Sequence, residues 1–245
     1  MNSHIRPSGR PLSAAGRLLL MLLSLTILSG CATQEPPPPT EKEAEMMVQE
    51  ALHDFNRGKY FTALPLFKKI KEQFPYSSHS LLAELKAADC NYYMENYSDA
   101  QTLYEEFETR HPTNEAIPYI LFQIGMCQFK QMHTVDRDPT AARNTLQAFL
   151  RLIRTAPDSS YSVEAKAKIR EANDFLAGHE YKIADFYVRT NAFAQAKSRL
   201  KYLLANYPDT PTAPKARELL SAIEAGKSPE RPWYLWIIGA SIFFD

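Results

Sequence analysis

Few side chains in this 245-residue chain are spaced for chemistry. The clearest is Cys31, at the end of Leu28-Ser29-Gly30-Cys31, the spacing of a lipobox, where a bacterial signal peptidase cleaves and the new terminal cysteine carries lipid. Asp136-Arg137-Asp138 sets two carboxylates around a guanidinium, a group that could hold a metal or move a proton. The same residues describe a turn braced by hydrogen bonds, with Asp138 as a helix N-cap and Pro139 at the first helical position, and we favour that reading. Ser198 to Lys201 spells S-x-x-K, but inside a helical pattern, and His179-Glu180 lacks a second histidine at ligand spacing. The chain has no Gly-rich phosphate loop, HExxH, CxxC or GxSxG, so neither catalysis nor a cofactor nor a metal is expected.

The segment that must deliver Cys31 reads as an export signal over residues 1–30. Arg6, Arg10 and Arg17 make a basic start, and Leu18 to Leu28 is an apolar run too short to span a bilayer. Residue 32 is Ala rather than Asp, which points to the outer membrane, on its periplasmic face. Cleavage removes three arginines and no acid, leaving 25 basic against 28 acidic residues, so the charge offers no case for nucleic acid. Residues 31–43, with Pro36 to Pro39 in a row, read as a lipidated polyproline tether.

Beyond the tether the spacing repeats. Tyr97, Ala100, Tyr104, His111 and Pro112 recur as Tyr60, Ala63, Phe67, Phe74 and Pro75, and again as Phe193, Ala196, Leu200, Tyr207 and Pro208. A small residue stands twelve positions before each central alanine: Ala51, Ala88 and Ala184. Each unit is therefore two helices in contact at alanine, ended by a proline that lacks an N–H. The expected fold is all-α, a tetratricopeptide-like superhelical solenoid of about five helix-turn-helix repeats over residues 44–226. Gly58 should cap the first helix, and Pro65 should fall in a first turn or bend its helix. In the third repeat the small residue is Gly125, matched to Thr145, and eight extra residues bulge between the two helices. In the fourth, fourteen extra residues, about four turns, lengthen the first helix without rotating its contact face, through or divided at Ala177-Gly178. The last unit, with Ser221 at the small position, is a shortened cap. Cys90 and Cys127 take equivalent places in successive repeats, where helices about 8–10 Å apart are beyond disulfide reach, so two buried free thiols are expected. Residues 227–245 form an apolar tail, with Trp233 to Phe244 too short to cross a bilayer, that could cap the solenoid, lie in the membrane interface or enter a partner.

The lipobox, the repeats opening at Tyr60 and Tyr97, DRDP at Asp136 to Pro139, HEYKIADFYVRTNAF at His179 to Phe193 and NYPDT at Asn206 to Thr210 occur in one order. Together they resemble the BamD family, tetratricopeptide-type lipoproteins of the outer-membrane β-barrel assembly machinery. The resemblance implies a scaffold that holds the membrane-embedded assembly subunit through its C-terminal repeats, with Arg199 at the contact with that subunit's periplasmic domains. It also implies that the N-terminal repeats receive unfolded outer-membrane proteins, for which Tyr60, Tyr92 and Tyr97 are the candidate residues. A solvated Arg199 and core tyrosines are the plain alternatives, and a tetratricopeptide adaptor for cell-wall or pilus assembly is the alternative function.

Overall fold

The computed structural model describes residues 40–132, 134 and 137–226, which lie in one compact unit beginning at Thr40. All regular structure among them is helical. Four antiparallel pairs follow one another: α1 (Glu41–Asn56) with α2 (Tyr60–Gln73), α3 (Ser78–Tyr93) with α4 (Tyr97–Arg110), α5 (Ile117–Lys130) with α6 (Thr140–Thr155), and α7 (Ser160–Arg189) with α8 (Phe193–Asn206). A single helix, α9 (Ala213–Glu224), closes the series. Each helix packs on its chain neighbours, and α1 meets α3 and α5 meets α7 across the repeats. Helices of 12 to 16 residues are marginal alone, so stacking supplies the stability that propensity does not.

The repeated residues act where the spacing placed them. Ala51, Ala63, Ala88, Ala100, Ala184 and Ala196 are all fully buried at the pair contacts. The three short turns within pairs, in the first, second and fourth, share one geometry. Gly58, Glu95 and Asn191 have φ of 73°, 63° and 57°, and the following amides of Lys59, Asn96 and Ala192 donate to Asp54, Asn91 and Tyr187 carbonyls at 2.8–2.9 Å. These bonds make a Schellman turn, which a left-handed residue closes. At the other end of each unit, Phe74, His111, Ala156 and Tyr207 leave the helix at φ between −128° and −139° and ψ between 52° and 68°, outside the helical region that a following proline disfavours. Glu95 carries a side chain in a conformation that suits glycine, so Glu95→Gly is expected to raise stability by about 0.5–1 kcal/mol, whereas Gly58→Ala should lower it. Thermal unfolding of the two variants beside the parent checks the opposite signs.

The irregular units carry the informative departures. α1 starts at Glu41 with a full capping box between Thr40 and Glu43, taking in residues read from sequence as the end of the tether. Pro65 lies in the second turn of α2 instead of the first; its ring is exposed, where water can take the carbonyl it leaves without a donor. α6 begins at Thr140, one residue later than expected, with Pro139 at its cap position. Asp138 still braces the turn, accepting from Thr140 N at 3.0 Å and Thr140 Oγ1 at 2.7 Å, bonds that hold its carboxyl below the usual range. Asp136 lies outside the described residues.

α7 runs unbroken through Gly178 for 30 residues and joins two cores. Ala165 belongs to the cluster built around Tyr104, Phe107 and Phe149, and Ala177, Ala184 and Val188 to the cluster of Leu200 and Leu203. The space over Gly125 is filled by the ring of Phe149, one turn beyond Thr145: a Cβ on Gly125 would stand 2.5 Å from that ring. Ser221 is exposed, and the buried small residues of α9 are Ala213 and Ala216. The small position of a first helix is covered by its own second helix, and no helix follows α9 among the described residues. Cys90 and Cys127 are free and buried, and burial pushes both thiols up to about 12, so neither is reactive at neutral pH.

Candidate functional site

Two Schellman turns bring the aromatic residues of the first two repeats together. Each turn folds the first residue of the second helix back on the last residues of the first, so Tyr60 meets Phe55 at 5.3 Å and Tyr97 meets Tyr92 at 5.5 Å between centroids. Tyr93 links the pairs: it stacks on Tyr60 at 4.8 Å with a 16° angle and touches Tyr92 edge-on at 5.6 Å. Phe55, Tyr60, Tyr93, Tyr92 and Tyr97 thus form one run of rings across both repeats. The three tyrosines singled out from the sequence are half-buried and partly serve the core, with edges left open. Tyr93 is the most open ring, 49 % exposed. Its signal in the sequence is the Tyr92-Tyr93 doublet, since adjacent helical residues point about 100° apart and only one can face the core. Burial pushes the Tyr92 phenol up to about 12 and raises that of Tyr97, so the surface offers neutral rings and hydroxyls.

Behind this run lies a buried carboxylate that the sequence reading did not single out. Asp89, 1 % exposed, accepts from Tyr104 Oη and Tyr119 Oη, both at 2.7 Å, and from Lys86 Nζ at 2.8 Å. The three donors come from α4, α5 and α3, so the group ties the second repeat to the third. Burial first, then the Asp89 charge, holds both phenols far above their usual pKa, and they remain donors at any physiological pH. Lys86 also lies 4.5 Å over the Phe55 ring, joining this group to the aromatic run. The only hint in the sequence was a charged residue between Ala88 and Cys90, on the face of α3 that carries the small contact residue.

At the other end of the array, the α7–α8 contact at Ala184 and Ala196 sets Glu180 opposite Arg199. Arg199 Nη1 donates to Glu180 Oε2 at 3.3 Å, and the side chains are 45 % and 6 % exposed. Arg199 is therefore neither a free solvated cation nor a buried one: one side answers a carboxylate inside, the other faces water. Tyr202, one turn along on the same face, is 47 % exposed and its ring lies 6.4 Å from Tyr207. The aromatic run and the Arg199 face are on different repeats and do not form one site. Cys31 and Trp233 to Phe244 lie outside the described residues. Among the described residues, no cluster of three or more His, Cys, Asp or Glu could hold a metal, and no helix is long and apolar enough to cross a membrane.

The family model described as YfiO, outer membrane lipoprotein, matches residues 40–228 of this chain. The chain is 28 % identical to the outer membrane protein assembly factor BamD of Neisseria gonorrhoeae, over 78 % of each chain. It is 27 % identical to the BamD of Caulobacter vibrioides, over 89 % of this chain and 70 % of that one, and 26 % identical to the BamD of Vibrio cholerae, over 81 % and 86 %. The match spans every helix from α1 to α9 and both faces just described, so the chain belongs to the YfiO/BamD family.

Proposed function

We propose that this chain is a non-enzymatic scaffold lipoprotein of the β-barrel assembly machinery, aiding the recognition, folding and insertion of outer-membrane proteins. The observation that carries the proposal is the family match across the whole helical array, whose relatives are named as outer membrane protein assembly factors. In this reading Cys31 anchors the chain by lipid to the periplasmic face of the outer membrane. The aromatic run of the first two repeats receives unfolded outer-membrane proteins: Tyr60, Tyr92 and Tyr97 frame it and Tyr93 presents the most open ring. Rigid rings with polar tips suit an extended chain of alternating apolar and polar side chains, because they offer contact area at little entropic cost. Arg199 and Tyr202 face the periplasmic domains of the membrane-embedded assembly subunit. Capture and hand-over are non-covalent and need no cofactor or nucleic acid.

The test is mass spectrometry of proteins that co-purify with the tagged, full-length chain from detergent-solubilised outer membranes. An Arg199→Glu variant would be a poor comparison, since it sets a second carboxylate against buried Glu180. Arg199→Lys keeps the charge and loses the planar fork, and it should reduce recovery of a large barrel protein with periplasmic repeats by about tenfold while the fold is retained. Recovery of synthases, pilins or peptidoglycan in place of barrel proteins would instead put the adaptor function first.

A further inference from the structure

We infer that Glu180 is a positioning residue that holds the Arg199 guanidinium in its docking geometry before any partner arrives. The inference rests on the reading of Arg199 as a partner contact. A carboxylate only 6 % exposed is costly without a cation, and the structure gives Glu180 one hydrogen bond, from Arg199 Nη1 at 3.3 Å. The cost of leaving that carboxylate unpaired keeps the arginine in place, although nearly half of its side chain lies in water. Because only Nη1 is engaged, Nε and Nη2 have no acceptor among the described residues. Those two donors are a preset fork for a carboxylate or a pair of backbone carbonyls on the partner. A long, flexible side chain has thus lost its rotamer freedom before binding, which is the part of the binding cost that preorganisation removes. Position supports the same role. Glu180 lies four residues before Ala184, on the buried face of α7, and Arg199 three residues after Ala196, so the close alanine contact fixes the distance between the two charged groups.

The experiment uses the full-length tagged chain on detergent-solubilised outer membranes, with the loss of the barrel subunit followed over successive washes. It compares Glu180→Gln, Glu180→Asp and Arg199→Lys. The arginine side-chain 15N resonances of the parent and Glu180→Gln proteins, recorded in detergent, report the freedom of Arg199 directly. Glu180→Gln is expected to keep the helical circular dichroism and the unfolding temperature, because an amide is cheaper to bury than a carboxylate. It should also show a mobile Arg199 signal and release the barrel subunit about tenfold faster, the preorganisation being lost. Mere packing by Glu180 would move neither the resonance nor the release rate. A release rate equal to the parent's in Glu180→Gln, with binding lost in Arg199→Lys, overturns the inference and leaves the contact reading standing. Full retention in Arg199→Lys overturns both. Should Glu180→Gln fail to fold, Glu180→Asp keeps the charge one methylene short of its partner and is read by the same two signals.

Discussion

Asp89→Ala is expected to lower the stability of the protein by about 3–5 kcal/mol, the cost of removing one member of a buried charged group and leaving its partners stranded. Three donors converge on this carboxylate, and Tyr104 is fully buried, so its phenol has no route to water once the acceptor is gone. Asp89→Asn retains an acceptor oxygen and should cost less, about 1–3 kcal/mol. The group acts as a unit, so the effects should not add: in a Tyr104→Phe, Tyr119→Phe background the alanine substitution strands only Lys86, whose ammonium can turn to solvent, and should cost distinctly less. Urea unfolding at neutral pH of the four variants measures the cycle. A parent-like stability for Asp89→Ala would mean that the carboxylate contributes nothing at the joint between the second and third repeats.

Phe149→Ala is expected to be comparably severe, about 3–5 kcal/mol, since a fully buried ring is removed from a site that cannot collapse. Phe149 lies against Phe122 at 5.7 Å and fills the space over Gly125, so its loss opens the contact between α5 and α6 at the one pair whose turn is replaced by a longer connection. The glycine gives the reciprocal test. Gly125→Ala gains helix propensity of about 1 kcal/mol, yet its methyl would stand 2.5 Å from the ring, and overpacking of this kind costs about 1–3 kcal/mol. The net effect should be destabilising alone and should reverse in Phe149→Leu, where the ring edge that the methyl meets is absent. Equal cost in both backgrounds, read by denaturant unfolding, would show that the two residues do not share that space.

The repeat itself was legible without coordinates, because the forces that set it are local or follow from size. Prolines 75, 112, 157 and 208 end helices by their own geometry, Gly58 selects the left-handed turn, and alanines twelve residues apart let two backbones close. The fourteen-residue extension of the fourth repeat could be read as helix for the same reason, since whole turns preserve a face. Tyr60, Tyr92 and Tyr97 could be singled out by type and position and Arg199 through the family resemblance, but not what each one meets. Partners were decided by tertiary structure. Asp89, Tyr104 and Tyr119 are 15 and 30 residues apart in pairing, Glu180 and Arg199 are 19 apart, and nothing in local spacing says which charge turns inward. A buried carboxylate persists only where a fold brings donors from several helices to it, so its role can be read only once those helices are packed. For the same reason Phe149, and not the matched Thr145, covers Gly125, and Tyr93 emerges as the open ring: the repeat spacing sets which helices meet, and the shapes of the meeting side chains decide which of them fills the gap.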